Sequence, residues 1–320
     1  MLIRFGYVAM AIDLKNCSPS KTMTYTNYEK MKDSEVKLYK LKKITKENLI
    51  NTKRILLYNV ASDIKVYRLS SRLVPLVTHS DVIDWDYTKE FQEIYKSISK
   101  IINDNKLRVS MHPDHFTIIS SPKDNVVEKS IEILEYHNNI MSSMDLSPQD
   151  GKLVLHIGGK YDGKEKTKKR FVENFLKLPE DIKSRIIVEN DDKIYDVEDV
   201  LEVCRETKVP MVLDIHHHWC NNRDKPIGEY LEEIFNTWKS QPFPPKVHLS
   251  SPKDEKNFRA HHDYIDYFFF KEFIDKAKNL NQDFDIMIEA KKKNLALVKL
   301  IEDIKKQQDY QIINNATIKA

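Results

Sequence analysis

Six short apolar runs in this sequence are each followed directly by a histidine, an aspartate or a glutamate, the side chains that bind divalent metal ions. The runs are residues 109–111, 153–155, 186–188, 211–213, 246–247 and 286–288, and the residues that follow them are His112, His156, Glu189, Asp214, His248 and Glu289. Runs of this kind are typical of strands buried in a parallel sheet. If the sheet closes into a barrel, the carboxyl ends of its strands meet at one face, where barrel active sites lie. The pattern therefore predicts that six separate segments converge on one metal site.

Strand-like runs occur eight times, at residues 2–8, 66–70, 108–112, 152–157, 185–189, 210–215, 246–250 and 285–289. Most are followed by a stretch with helical spacing, such as 123–141, or 197–205 with Asp196 as its N-cap. This alternation predicts an α/β fold, a TIM (β/α)8 barrel that forms a single domain over residues 1–320. An open doubly wound sheet is the alternative, but the chain has only 6 glycines and no glycine-rich phosphate-binding motif.

Composition restricts the class of protein further. With 41% hydrophobic and 32% charged residues, and no run near the roughly 20 apolar residues that span a bilayer, the chain is expected to be soluble and to have no membrane partner. Its first residues form a strand pattern and not a secretory signal, which predicts a cytoplasmic protein. The cysteines Cys17, Cys204 and Cys220 are far apart and include no CxxC pair, so neither a disulfide framework nor a cysteine zinc site is predicted.

The formal net charge of +3 permits nucleic-acid binding without arguing for it. Lysine-rich segments follow three strand ends, at 160–170, 250–253 and 291–293, where they would suit the phosphates of a polyanion. An ordinary solvated surface explains each of them equally well. The segment 11–44 is predicted to be a long loop at the active-site face, and the tail after Lys306 either packs beneath the barrel or frays. His137 is predicted to be a surface residue of a helix.

A site with several divalent ions needs anionic bridges, because like-charged ions about 4 Å apart repel strongly. The carboxylates of Glu189, Asp214 and Glu289 can supply them. Neutral imidazoles can complete the ligand shells, and the candidates are His79, His112, His156, His217, His248 and one of His261 and His262. Among the consecutive histidines 216–218, at most two can face the site, and the spacing from Asp214 favours His217. Nitrogen and oxygen ligands favour manganese, zinc or iron over calcium.

Nine short segments together resemble the UV damage endonuclease family, which is related to endonuclease IV and to the xylose-isomerase-like barrels. The similarity extends over nearly the whole chain, and its marks are residues 4–7, 48–54, 74–79, 112–113, 156–159, 189–192, 214–217, 246–253 and 288–291. The resemblance implies a TIM barrel with a groove for bent double-stranded DNA that contains UV lesions. It also implies a monomer with up to three divalent ions, of which Mn²⁺ is the expected one.

The implied reaction is hydrolysis of the phosphodiester immediately 5′ of a cyclobutane pyrimidine dimer or 6-4 photoproduct, leaving a 3′-hydroxyl and a 5′-phosphate. Carried over by motif, the metal ligands are His79, His112, His156, Glu189, Asp214, His217, His248, His261 and Glu289. His261 is preferred to His262 because of its spacing before Asp263 and Tyr264. The catalytic residues are Glu189, Lys246 and Glu289, and Lys246 matches a lysine that the family can carry in carboxylated form.

The residues assigned to DNA and lesion binding by the same resemblance are Tyr7, His115, Phe116 and Lys253. The family's wedge, a glutamine and a tyrosine, is replaced by His115 and Phe116, and no asparagine stands near Met10 where relatives often have one. Strand cleavage is therefore expected, with an altered lesion preference. The alternatives are an abasic-site endonuclease of the endonuclease IV type and, more distantly, a sugar isomerase. A non-catalytic DNA-binding barrel is disfavoured because buried ionisable groups are costly without metals.

Overall fold

The computed structural model describes residues 1–320 and contains a closed barrel of eight parallel strands. In chain order the barrel strands are β1 (Leu2–Val8), β2 (Val66–Arg68), β3 (Arg108–Met111), β4 (Lys152–His156), β5 (Ile186–Glu189), β6 (Met211–Asp214), β7 (Lys246–Leu249) and β8 (Phe284–Ile288). Each strand pairs with the next, and β1 pairs in parallel with both β2 and β8, which closes the sheet. All eight predicted strands are confirmed to within two residues at each end, and so is the TIM barrel. The assignment of the chain to one domain stays a prediction.

Helices cover the outside of the barrel and connect its strands. They are α1 (Tyr25–Glu29), α2 (Ser34–Ala61), α3 (Tyr87–Glu90), α4 (Gln92–Asp104), α5 (Asp124–Ser143), α6 (Lys164–Lys177), α7 (Glu180–Lys183), α8 (Val197–Thr207), α9 (Ile215–Cys220), α10 (Leu231–Asn236), α11 (Tyr267–Ala277) and α12 (Lys293–Gln307), with 3₁₀ turns at Ile227–Glu229 and Lys278–Leu280. The predicted cap of α8 is confirmed, because the Asp196 carboxylate accepts hydrogen bonds from the backbone N–H groups of Glu198 and Asp199. No helix is long and apolar enough to cross a membrane.

The closure between β1 and β2 depends on a glycine. Gly6 lies opposite Val66 in the pairing of these strands. A Cβ atom at position 6 would lie only 2.2 Å from the carbonyl oxygen of Val66, a distance that real Cβ atoms do not reach. Only glycine lets the two backbones approach this closely without a shift of the barrel.

The first connection differs from its prediction. The prediction of a long loop over 11–44 is wrong in two places. The short helix α1 lies at Tyr25–Glu29, and α2 already begins at Ser34 with Asp33 as its N-cap. The buried side of α2 carries polar residues, including Thr45, Asn48 and Asn51, which hides the helical periodicity of its apolar residues. Asn48 has a clear function: its side-chain amide donates to the carbonyls of Leu73, Arg72 and Lys21, and so fixes the loop after β2.

The tail packs on the barrel. Two further strands, β9 (Gln311–Asn314) and β10 (Thr317–Lys319), form an antiparallel hairpin, and β10 pairs with the first half of β1. Leu2 lies opposite Lys319 and Arg4 opposite Thr317. The hairpin therefore sits at the end of the barrel away from the predicted metal site, where it confirms the expected packing beneath the barrel.

The prediction that His137 is a surface residue is wrong. The residue lies in α5 and is only 2% exposed, and its Nδ1 atom is 2.7 Å from the carbonyl oxygen of Ile133. Burial lowers the pKa of His137 to about 4. The Ile133 and His137 pair, one helical turn apart, lies on the inward side of α5, which the sequence alone did not distinguish from the outward side.

This burial predicts a pH dependence of stability. The folded state keeps His137 neutral down to a pKa of about 4, whereas the unfolded chain takes up the proton near its ordinary value of 6.5. Acidification through this window therefore favours the unfolded state. From pH 7.5 to pH 5 the free energy of unfolding should fall by about 2 kcal/mol more in the wild type than in His137→Gln. Urea unfolding of both proteins at the two pH values measures the difference, and equal pH slopes would contradict the assignment.

Candidate metal centre

The strand-end residues converge on the Glu189 carboxylate, which is 1% exposed at the end of β5. One of its oxygens, Oε2, lies 3.1 Å from Nε2 of His112 and 3.5 Å from Nε2 of His156. The other oxygen, Oε1, lies 2.7 Å from Nδ1 of His248. The same His248 nitrogen is 3.0 Å from Oε1 of Glu289. Residues from five different strands of the barrel thus meet at one carboxylate.

Potential ligand atoms form two groups that share Glu189. His112, His156 and Glu189 make the first, and Glu189, Asp214, His248 and Glu289 make the second, with the ligand atoms of each group within 4.8 Å of one another. A carboxylate with one oxygen in each group has the arrangement of a bridge between two cations. This arrangement agrees with the expectation that carboxylates separate the metal ions.

Three histidines are oriented as metal ligands usually are. The Nδ1 atoms of His112, His217 and His261 lie 3.0 Å, 2.9 Å and 2.8 Å from the backbone carbonyl oxygens of Pro113, Asn190 and Glu289. A carbonyl only accepts, so each Nδ1 donates its proton, and Nε2 is the ring nitrogen left to face a metal ion. Metal-bound histidines are commonly held by such a bond from their second ring nitrogen.

Several buried polar atoms of the same cluster have no hydrogen-bond partner. They include Nδ1 of His156, Nε2 of His248 and Oδ2 of Asp214. Buried polar atoms are nearly always paired in folded proteins, so unpaired ones need an explanation. All three are nitrogen or oxygen donors of the type that manganese, zinc and iron accept. The donor set therefore fits bound divalent cations.

The pKa shifts show that the cluster favours positive charge. Burial alone would raise the pKa of Glu189, but the imidazoles of His248, His156 and His112 outweigh it and hold the pKa well below its usual value. Burial alone would lower the pKa of His217, but the carboxylates of Asp214 and Glu189 raise it to about 9. A site that keeps its carboxylates ionised and stabilises an added cation suits a divalent metal ion.

Asn190 positions two of these candidates. Its side-chain oxygen accepts from the backbone N–H of Asp214 at 2.8 Å, and its side-chain nitrogen donates to the carbonyl of Asp214 at 3.0 Å. Its backbone carbonyl accepts from Nδ1 of His217. His217 is thus the member of 216–218 that lies beside Asp214 and Glu189, whereas His216 hydrogen-bonds Ser250 and Phe258.

Lys246 lies inside the barrel and is 1% exposed. Its Nζ atom donates to Oγ of Ser110 at 2.8 Å and has no carboxylate within salt-bridge distance. Burial and the neighbouring guanidinium of Arg108 lower the pKa of Lys246 well below its ordinary value. Its environment therefore disfavours the charged form of the amine.

Sequence reasoning missed one residue of the centre. Arg68 ends β2, is 9% exposed and places Nη1 2.5 Å from Oε1 of Glu289. Burial alone would raise the pKa of Glu289. Arg68 and His248 outweigh this effect and lower the pKa below its usual range. The signal was available, because Arg68 stands at the end of a strand, as the six predicted ligands do. It was overlooked because arginine is not a metal ligand.

Two predicted ligands lie differently from the rest. The ring of His79, in the loop after β2, stacks on Tyr25 with the ring centroids 4.0 Å apart, and it is not part of either ligand group. His261 lies near the cluster, with its ring 6.3 Å from that of His217, whereas His262 is exposed and contacts Tyr264. The preference for His261 over His262 agrees with this placement, and metal binding by His79 stays a prediction.

The four residues assigned to DNA binding are divided between surface and core. His115 and Phe116 project from the loop after β3, with 75% of the His115 side chain and 68% of Phe116 exposed and their rings 4.0 Å apart. Lys253 is exposed in the loop after β7. Tyr7 is fully buried, and its hydroxyl donates to Oδ1 of Asn59 at 2.6 Å, so its position does not fit the predicted direct contact with DNA.

A cavity of about 530 Å³ opens beside the metal centre, between the loops after β1, β2 and β3. His112 and Arg68 form part of its wall, and Arg72 and several hydroxyl groups line it further. Its volume lies within the roughly 300–1,000 Å³ of small-molecule sites. The lining offers hydrogen-bond donors and positive charge to an anionic ligand.

A TIM barrel with a candidate metal centre at its open face is the class that this fold and site define, and comparison with known proteins makes the class specific. Residues 3–319 match the family UV-endonuclease UvdE. The chain is 44% identical over 318 residues to the UV DNA damage endonuclease of Bacillus mycoides (strain KBAB4), with 99% of each chain covered. A UV DNA damage endonuclease of Bacillus cereus (strain 03BB102) is 42% identical over 320 residues, again with 99% of each covered.

Comparison with solved structures finds the same fold. The crystal structure of SacUVDE superposes with a TM-score of 0.85 at 30% identity and covers 96% of this chain and 99% of its own. Endonuclease IV from Thermus thermophilus shares the fold, with a TM-score of 0.55 at 13% identity over 80% of this chain and 94% of its own. The protein therefore belongs to the UV damage endonuclease family, as its sequence motifs indicated.

The shared position of Glu189 predicts a loss of metal binding in Glu189→Gln. We expect the affinity for Mn²⁺ to fall by about 100-fold or more, because the substitution removes a buried charge common to both ligand groups. Metal content after dialysis, measured by inductively coupled plasma mass spectrometry, tests this.

Glu165→Gln is the matched control. Glu165, Asp199 and Glu202 form another acidic group, but the ammonium of Lys168 lies 2.8 Å from Glu165 and 3.3 Å from Asp199 and already neutralises it. This variant should keep the metal content of the wild type. Unchanged metal content in Glu189→Gln would show that Glu189 is not a ligand.

Proposed function

We propose that this protein is a metal-dependent DNA repair endonuclease that hydrolyses the phosphodiester immediately 5′ of UV photoproducts and leaves a 3′-hydroxyl and a 5′-phosphate. Membership of the UV damage endonuclease family supports endonuclease activity on DNA. The observation that carries the metal dependence is the Glu189 carboxylate, with one oxygen in each of two ligand groups. Cyclobutane pyrimidine dimers and 6-4 photoproducts in double-stranded DNA are the proposed substrates.

The proposed ions are divalent, up to three, with Mn²⁺ as the best candidate. His112, His156, Glu189, Asp214, His217, His248, His261 and Glu289 would hold them, with His79 as a further predicted ligand. Bound ions of this kind lower the pKa of water and neutralise charge on a phosphodiester undergoing hydrolysis. No side chain has to act as a covalent nucleophile.

The protein groups around the ligands set the charge and shape of the site. Arg68 contacts Glu289 and borders the cavity, so its guanidinium is placed to bind a non-bridging phosphate oxygen. The Nδ1 bonds of His112, His217 and His261 to backbone carbonyls hold these rings in one tautomer. The reacting phosphate thus meets groups that need no reorganisation.

Lys246 is proposed to act in carboxylated form. Burial disfavours the charged form of its amine, and an uncharged amine adds to carbon dioxide, forming an N–C bond and releasing one proton. The resulting carbamate is an anion whose oxygens can bind a metal ion, as those of a carboxylate do. It would take the place of a buried amine whose charged form is unfavourable. Ser110, which accepts the Nζ hydrogen bond, would then donate a hydrogen bond from its hydroxyl group to the carbamate and keep its proton.

Recognition of the lesion is proposed to depend on His115 and Phe116. Both rings project from the loop that follows His112, so a base pair disrupted near the metal centre lies within their reach. Inserting apolar rings between weakened base steps costs less energy at a lesion than in intact DNA. The adjacent cavity offers space and donor groups for the extruded nucleotides.

An exposed aromatic such as Phe116 argues against the closed polyol pocket of a sugar isomerase. The monomeric state and cytoplasmic location stay predictions.

The deciding experiment compares nicking of three matched end-labelled duplexes, containing a thymine dimer, an abasic site or no lesion, with Mn²⁺ and after chelation. We expect a metal-dependent cut immediately 5′ of the dimer, and no cut with Glu189→Gln at unchanged DNA binding. Cleavage of the abasic duplex alone would make the protein an abasic-site endonuclease. Cleavage of none of the three would remove the nuclease proposal and direct attention to sugar substrates.

Phe116→Ala should reduce the preference for damaged over intact duplex by about tenfold, because a stacking contact of an exposed ring is worth roughly 1–3 kcal/mol. Metal content should not change, since Phe116 lies outside the ligand groups. Binding measured by fluorescence anisotropy on dimer-containing and intact duplexes gives the ratio. Phe268→Ala, which removes an aromatic ring of similar exposure on α11, is the control. Equal discrimination in both variants would contradict a wedge role for Phe116.

A further inference from the structure

A second cluster of aromatic and cationic side chains, two of them exposed and one half-buried, lies across the metal centre from His115 and Phe116. It consists of Trp219 at the end of α9 and of Phe258 and Arg259 in the loop after β7, and we call it the aromatic platform. The Trp219 and Phe258 rings are 6.0 Å apart, and the Arg259 guanidinium lies 4.6 Å above the Phe258 ring. Trp219 is 47% exposed, although burial of such a ring is strongly favourable.

Hydrogen bonds connect the aromatic platform to the metal centre. Both ring nitrogens of His216, the residue before His217, are used: Nδ1 lies 2.7 Å from Oγ of Ser250, and Nε2 lies 2.7 Å from the carbonyl oxygen of Phe258. Arg259 donates from Nε to the carbonyl of Asp192 at 3.2 Å. Loops that follow β5, β6 and β7 are therefore fixed to one another, so the aromatic platform keeps a constant position relative to the ligands.

The barrel places the two aromatic clusters on opposite sides. In a ring of eight strands, β3 and β7 are diametrically opposed. His112 follows β3 and His248 lies within β7, and their rings are 6.5 Å apart at the centre. The loop with His115 and Phe116 leaves from one side, and the loop with Phe258 and Arg259 leaves from the other. The metal centre lies between them.

We propose that the aromatic platform is a second DNA contact, which binds a distorted strand on the far side of the metal centre from His115 and Phe116. The inference rests on the proposed function, since it assumes a DNA substrate. Trp219 offers a face for an unstacked base or a deoxyribose. Arg259 lies with Nε 3.5 Å from Oδ2 of Asp192, and its 44% exposed side chain leaves the outer guanidinium nitrogens to donate to the adjacent phosphate. Two fixed contacts on either side of the reactive centre bind a bent duplex better than a straight one.

The loop that carries Phe258 and Arg259 also carries exposed charges of both signs. Lys253 and Lys256 are exposed there, and so are Asp254 and Glu255 between them. The Asp254 carboxylate accepts from the backbone N–H groups of Lys256 and Asn257 at 3.0 Å and 2.8 Å. Aromatic rings beside flexible cations are typical of surfaces that bind unstacked nucleic acid strands.

The test measures equilibrium binding to a dimer-containing duplex in EDTA, which prevents cleavage, by fluorescence anisotropy. Trp219→Ala and Arg259→Gln should each weaken binding by about 5- to 100-fold, in line with a lost stacking or phosphate contact. Phe268→Ala, which removes a ring that is 69% exposed and contacts the ring of Tyr267, should leave binding unchanged. Wild-type affinity in both platform variants would overturn the proposal, and so would an equal loss in all three variants.

Fluorescence gives a readout that does not require a destabilising substitution. DNA should protect the wild-type tryptophan emission from iodide quenching, and Trp219→Phe should lose this protection, because Trp238 is buried at 2% exposure and Trp85 lies outside the aromatic platform. Equal protection in both proteins would overturn the proposal. Nicking by the wild type in Mn²⁺ is scored in parallel: if it fails, the proposed function is wrong, whereas normal nicking with wild-type binding by Trp219→Ala rejects the platform alone.

Discussion

Closure of the barrel between β1 and its two neighbours is the constraint on which the rest of the structure depends. β1 pairs with β8 over residues 3–7 and with β2 over residues 6–8, and the second pairing requires Gly6. Only a closed ring brings the ends of β3 and β7 to within one ligand cluster of each other. In an open sheet the same side chains would lie along an edge, too far apart to share the Glu189 carboxylate.

Given that closure, the balance of charge decides the chemistry. Buried carboxylates are costly, and here they are retained because imidazoles and Arg68 surround them. This arrangement lowers the pKa of Glu189, which keeps the carboxylate ionised, and raises the pKa of His217. Such a site stabilises added positive charge. The same physical argument accounts for Lys246, whose pKa is lowered because the amine is buried and because Arg108 is close.

Much of this could be predicted from the sequence, because the signals are local. A buried strand is readable in about five residues, and eight such strands specify the barrel. Six of the eight have a histidine or a carboxylate at or next to their carboxyl ends, which predicts the metal centre. What the sequence did not reveal depends on contacts between distant segments. The start of α2 was hidden by buried polar residues such as Asn48, whose partners lie in another loop. The burial of His137, the role of Arg68 and the hairpin of β9 and β10 likewise follow from tertiary packing. Trp219 is exposed, and nothing in its local pattern distinguishes it from a core aromatic residue.

The position of β1 in the sheet also affects how the protein is made. Its neighbours β8 and β10 lie more than 270 residues later in the chain, at Phe284–Ile288 and Thr317–Lys319. During synthesis β1 therefore leaves the ribosome long before these partners exist, and one edge of the growing sheet stays unpaired. Contacts so distant in sequence slow folding, and an unpaired apolar edge favours association with other chains. Chaperone binding to the nascent protein would thus concentrate on the segment around β1 until the last barrel strand is complete.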